Sequence, residues 1–140
     1  MGLEMSHGCY LGPYSSFTRL RNEIAYAAGY PLHVERTLID GKMAIFNANY
    51  ELGEGNITPE QELGEWNEVP KDPLVILLAH SDHKGLLKAN HCTLIADRLE
   101  ALLPKFGGSI EDPHTDAAAV RRMIDGLREA AAAGEAVEFC

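Results

Sequence analysis

The stretch Asp72 to Pro104, DPLVILLAHSDHKGLLKANHCTLIADRLEALLP, decides the fold. It runs from an apolar block through a short polar loop with two histidines into a long amphipathic segment. Asp72-Pro73 is a helix-start signal. Aspartate accepts from the free amides of a first turn, and proline at the first helical position gives up no hydrogen bond. Leu74, Leu77 and Leu78 fall at helical spacing, although an unbroken apolar run from Leu74 to Leu78 also suits a buried strand. The Asp-Pro start favours a short buried helix. Downstream, Ala89, Cys92, Ala96, Leu99 and Leu103 form one stripe with Ile95 and Leu102 beside it. Lys88, Asp97, Arg98 and Glu100 lie off that stripe, which predicts a second helix ended by Pro104.

The joining loop has the outline of a calcium loop. With Gly85 at the sixth position, where such loops turn sharply, it runs from His80 to His91, and Leu87 takes the apolar eighth position. Calcium requires several carboxylate oxygens and a bidentate glutamate at the twelfth position. Here the first, fifth and twelfth positions are His80, Lys84 and His91, and Asp82 is the one carboxylate. The helix–loop–helix shape is expected, and the calcium is not.

Outward from this centre, His7 to Tyr10 reads as a short strand and Gly12-Pro13 as a turn. Met1 to Met5 reads as a leader partly foreign to the domain. Ser15 or Ser16 would cap a first helix over Phe17 to Ala28, with Phe17, Leu20 and Ile24 inward and Gly29 as its stop. Leu32 to Phe46 reads as a β-hairpin around a two-residue Asp40-Gly41 turn. Thr58 and Gln61 spell a capping box, and Trp66 follows as a lid on the core rather than a ligand platform. Asp112-Pro113 or Thr115 starts a last helix carrying Val120, Met123, Ile124 and Leu127, ended by Gly134. Val137 and Phe139 then share one face of a short edge strand. The expected class is α+β: a single domain over 1–140 with three main helices, a helix–loop–helix centre and a small antiparallel hairpin.

Composition narrows the functional classes. At 140 residues the chain suits one domain with a real core. No apolar run approaches the roughly 20 residues that span a bilayer. No basic-then-apolar start marks a signal peptide. The three cysteines, Cys9, Cys92 and Cys140, are odd in number and widely spaced, as expected of reduced thiols in a cytoplasm. The net charge of −9 argues against direct nucleic-acid binding, which needs a basic face to displace counterions. It suits a basic protein partner or an imitation of nucleic acid. The sequence leaves self-association open.

His80-Ser81-Asp82 and Gly85, then Cys92 leading into a helix, resemble a family of small uncharacterised proteins from actinobacteria and their phages. That family's motif reads His-Ser-Asp-Cys-Asp-Gly-Glu-Leu. Tyr14, Ser15, Phe17, Leu20 and Arg21 match its early Tyr-Ser-x-Phe start, and Val137 to Cys140 its closing Leu/Val-Glu-Phe-Cys. The chain departs at His83, Lys84 and Leu86, which removes the acidic loop. The resemblance implies a phage or prophage setting and carries no activity with it.

Three chemistries compete for the polar residues. His80, Asp82, His83 and His91 have zinc-ligand side chains, with Cys92 adjacent, but their spacing matches no standard zinc motif. The blander reading has these histidines bonding backbone. His80 with Asp82 would make a base and its orienting carboxylate, yet Ser81 is a chain neighbour, which rarely gives triad geometry. A binding reading gathers Tyr14, Ser15, Arg21, Trp66, His80 and Asp82 into a pocket for a nucleotide-like ligand. The expected function is therefore non-enzymatic. It is a cytoplasmic, phage-type binding protein that sequesters such a ligand or blocks a host protein, with no cofactor. A small metal-dependent enzyme on the His80–His91 loop is the runner-up. A structural domain with a degenerate calcium-loop shape is the third reading.

Overall fold

A computed structural model describes residues 2–30, 33–36, 42–45 and 57–140, with backbone alone for 33–36 and 42–45. The architecture is α+β. Strands β1 (Gly2–Met5) and β2 (Tyr10–Pro13) precede helix α1 (Tyr14–Ala27). Strands β3 (His33–Arg36) and β4 (Lys42–Ile45) form an antiparallel pair. Short helices α2 (Pro59–Glu62) and α3 (Leu74–Leu78) lead to β5 (Leu86–Leu87) and helix α4 (Ala89–Leu102). Helix α5 (Asp116–Ala133) and β6 (Val137–Glu138) close the described chain. No helix among the described residues is long and apolar enough to cross a membrane.

The apolar block is a helix, as its Asp-Pro start indicates, and all five of its residues are buried. Asp72 does more than cap it. Its Oδ1 accepts from the Leu74 amide at 3.0 Å and from Arg98 Nε at 3.1 Å. Its Oδ2 accepts from Arg98 Nη2 at 3.0 Å and from the Tyr30 hydroxyl at 2.8 Å. Burial pushes the Asp72 carboxyl pKa up, but Arg98, the Leu74 amide and Tyr30 outweigh it and hold the group below its usual value. One carboxylate thus ties the start of α3 to α4 and to Tyr30, three residues beyond the end of α1.

α4 and α5 pack along their lengths, burying Ile95, Ala96 and Leu99 against Met123, Ile124 and Leu127. Gly126 lets the Ser6–Gly8 turn approach α5, since a Cβ there would lie 2.6 Å from Cys9 Sγ. The expected caps are present. Thr58 and Gln61 exchange both capping-box bonds, Thr115 accepts from the Ala118 amide, and Gly134 ends α5 with φ 68°.

The N-terminal end differs from the sequence reading. Gly2–Met5, within the expected Met1 to Met5 leader, is not foreign to the fold, because it is a strand that buries Leu3 and Met5. The strand expected at His7–Tyr10 lies instead at Tyr10–Pro13, where it pairs with β1, Met5 opposite Tyr10. Gly12-Pro13 is therefore strand, not turn, and α1 begins at Tyr14 with no side-chain cap from Ser15 or Ser16. Local turn chemistry lost to a long-range partner: β1 is itself held by the C-terminal tail. Glu4 and Cys140 exchange backbone bonds of 3.1 and 2.9 Å, and Met5 bridges Phe139. The tail's other residues pair with β5, Leu87 opposite Val137. The last four residues therefore stitch the N-terminal hairpin to the central loop.

In the second hairpin Arg36 stands opposite Lys42. A two-residue Asp40-Gly41 turn would set Ile39 opposite Lys42, so the register is not the one expected. The turn itself lies outside the described residues.

Phe139 is buried among Phe17, Met5 and the central loop. Phe139→Ala is expected to destabilise the protein by about 3 kcal/mol or more in urea denaturation. A loss under about 1 kcal/mol would show that the tail is a passive appendage.

Candidate functional site

The sequence points to His80, and the structure shows what that residue does. Its side chain is 3% exposed, closed in by three backbone segments and one aromatic ring. Nδ1 lies 2.7 Å from Ser81 O, and Nε2 lies 3.0 Å from Leu86 O. Phe139 stacks on the imidazole with centroids 3.9 Å apart and planes 19° from parallel. Two glycines let the backbone close around it. Gly64 has φ 93°, and a Cβ there would fall on Leu86 O; Gly85 has φ 94°, and its Cβ would lie 2.8 Å from Leu63 O. Ser81 N donates to Glu62 O at 2.7 Å, and Leu86 N to Leu63 O at 3.1 Å, which fastens the end of α2 across the loop.

Arg21 reaches this node from α1. Its Nη1 donates to His80 O at 2.6 Å and lies 3.3 and 3.5 Å from Leu77 O and Leu78 O. The guanidinium carbon sits 4.5 Å over the Phe17 ring. Burial lowers the Arg21 pKa to about 10, with the Asp82 charge acting the other way, so the group stays cationic at neutral pH. The expected neighbourhood of Arg21, His80 and Asp82 exists. Arg21 turns Nη1 to the carbonyls that end α3.

The other site candidates lie apart from this node. Tyr14 is half-buried against the core and Ser15 is exposed, with no contact to His80 recorded for either. Trp66 is 8% exposed, and its Nε1 donates to Gln61 O at 3.1 Å, as suits a lid. His83 is exposed, with Nδ1 3.2 Å from Ser81 Oγ and 3.1 Å from Asp82 Oδ1. A catalytic relay needs the hydroxyl and the carboxylate on opposite ring nitrogens. Here both meet the same one, so Ser81 has no route to a positioned base.

For zinc, lone pairs must converge on one point. Both His80 nitrogens face carbonyls. His91 is buried at the start of α4 with Nδ1 unpartnered, its pKa lowered by desolvation first and by Lys88 second, while Glu65 opposes. Among the described residues no three His, Cys, Asp or Glu side chains gather around a metal-sized point. Cys9 and Cys92 are buried free thiols, pushed up by burial to about 12 and about 11, so neither is a thiolate ligand or nucleophile at neutral pH.

The Phe139 stack and the Gly64–Leu86 approach are what the sequence reading missed. The Val137/Phe139 alternation carried a signal for the first. A lone glycine after a short helix carried none for its partner.

One further concavity stands out on the surface. A groove of about 920 Å³ runs along α2 and the segment that follows it, lined by Glu60, Glu65, Glu68, Trp66, Val69 and Pro70. Glu65 is paired to Lys88 at 3.2 Å, and Val69 is 43% exposed.

Comparison with protein-family models, with curated proteins and with solved structures finds no match to this chain.

Two substitutions separate the node from the exposed loop. Gly64→Ala is expected to destabilise by well over about 1 kcal/mol, because φ is positive and a carbonyl occupies the added methyl's place. His83→Ala should stay within about 0.5 kcal/mol of wild type. Equal melting temperatures for the two variants would contradict this assignment.

Proposed function

We propose that this chain is a non-enzymatic binding protein of phage type that acts by covering a basic surface on a host protein. The acidic groove beside Trp66 carries the reading. It combines open volume, two glutamates with no ion pair among the described residues (Glu60 and Glu68) and an exposed apolar contact at Val69. The net charge of −9 adds a long-range field that steers a cationic partner toward the chain. The phage setting rests on the resemblance carried by Tyr14–Arg21, His80–Gly85 and Val137–Cys140.

A nucleotide-like ligand draws less support. Arg21, the cation that would hold its phosphate, is committed to three carbonyls, and the indole that would stack its base is covered. The enzyme alternative draws less still, since His83 faces its hydroxyl and its carboxylate through one nitrogen.

Trp66 is the single tryptophan and lines the groove, so its emission reports occupancy directly. Titration with a synthetic lysine/arginine-rich peptide is expected to change that emission, with affinity falling as salt rises. Glu60→Gln and Glu68→Gln should each weaken binding about two- to fivefold, the worth of an exposed pair. Glu111→Gln, in the exposed segment before α5, should not. Equal losses from all three variants would mean that the peptide feels net charge alone and that the groove is not the site.

A further inference from the structure

Strand β1 is hydrogen-bonded along both edges, and that fixes what β2 does with its own. Glu4 and Cys140 exchange both backbone bonds, at 3.1 and 2.9 Å. The Glu4 N–H and C=O therefore face Cys140 and not β2. In an antiparallel ladder, pairs that exchange bonds alternate with pairs that do not, and in the latter the amides and carbonyls point to the outer edges. Glu4 stands opposite Leu11, so theirs is the pair without bonds, and Leu11 turns its N–H and C=O away from β1. Neither group has a hydrogen-bond partner among the described residues.

The side chain at this point is equally open. Leu3 and Met5 face the core, so Leu11, opposite Glu4, stands on the outer face, 77% exposed. Alongside it runs a groove of about 450 Å³ lined by Glu4, Ser6, His7, Tyr10, Leu11 and Arg122. Glu4 and Arg122 are both exposed, and neither has an ion pair among the described residues. Strand edges are ordinarily blunted by a charged side chain, a proline or a bulge. Tyr10, Leu11 and Gly12 carry none of these, and Pro13 stands at the strand's far end.

We propose that β2 pairs with β2 of a second copy of this chain, antiparallel, about a two-fold axis through Leu11. A two-fold contact must be self-complementary, and Leu11 meets that demand by itself. Each Leu11 N–H donates to the other's C=O, so both free groups of each chain are satisfied together. The two exposed leucine side chains cover one another. The grooves then face each other across the axis, with the Arg122 of one copy set against the Glu4 of the other. A basic peptide strand would also offer an amide and a carbonyl, but it would leave Arg122 facing like charge.

The assembly stops at two, because the far edge of the stitched strands, at β5, is covered. There Leu86 N donates to Leu63 O at 3.1 Å, and Leu86 O lies 3.0 Å from His80 Nε2. One short edge buries little area, so the dimer is reversible and forms at high protein concentration. Its surface shares no lining residue with the Trp66 groove, so it does not rest on a binding role for that groove.

The test is sedimentation equilibrium of the whole chain from about 10 µM to about 1 mM. Salt at about 0.15 M screens the net charge of −9 on each copy. Hydrogen exchange at the Leu11 amide is followed over the same range. The expected result is a monomer–dimer equilibrium, with Leu11 exchange slowing as the dimer fills. Leu11→Lys sets like charges across the axis and should weaken the dimer at least about tenfold, with the melting temperature of the dilute protein unchanged. Arg122→Glu should weaken it about fivefold, since two exposed pairs are lost, and adding Glu4→Arg should restore it. A chain that stays monomeric to about 1 mM overturns the proposal, as do a dimer that survives Leu11→Lys and a double variant no tighter than Arg122→Glu. Leu11 exchange that slows on adding the lysine/arginine-rich peptide but not with protein concentration overturns it too, and gives the edge to a foreign strand.

Discussion

The C-terminus of α3 needs donors, and Arg21 provides them. A five-residue helix leaves most of its carbonyls without an intrahelical partner, and these lie inside the protein beside buried leucines. A guanidinium meets the need better than an ammonium does, with delocalised charge and a face that stacks on an aromatic ring. Arg21 contacts the carbonyls of Leu77, Leu78 and His80 while resting on Phe17. Its positive charge at a helix C-terminus adds a favourable dipole interaction. Once that end is closed, His80 is fixed in place, Phe139 has a surface to stack on, and the tail can bridge β1 to β5.

This accounts for the polar residues at the centre of the chain. Arginine, histidine, serine and two glycines close around a backbone crossing that apolar side chains alone leave full of unpaired amides and carbonyls. Their hydrogen-bonding capacity goes to the fold. Under the proposed binding role, recognition would fall to surface that the fold leaves free, and the acidic groove along α2 is where charge, volume and an exposed apolar contact coincide.

Much of the helical framework is legible from residue order. Asp72-Pro73, the Thr58–Gln61 box, Thr115 and Gly134 are local signals whose partners lie within a few residues, and each acts where expected. The N-terminal strands are not legible in that way. Gly2–Met5 has no turn or capping chemistry to mark it, and its pairing depends on Tyr10–Pro13 and on Cys140 at the far end of the chain. The second hairpin is legible as a pair of strands but not in its register. At the candidate site, the sequence singled out Arg21 and His80 and brought them together. Their role was hidden because it depends on backbone carbonyls, which every residue carries and no residue type announces.

Urea denaturation of Arg21→Met tests the account most directly. Methionine keeps length and apolar contact with Phe17 but removes every donor. The account predicts a loss of about 2 kcal/mol or more, because the carbonyls closing α3 are left unpaired, with binding of a basic peptide to the Trp66 groove unchanged in the folded protein. Stability within about 0.5 kcal/mol of wild type, together with weakened peptide binding, would contradict it and make Arg21 a recognition residue rather than the clasp on which the fold depends.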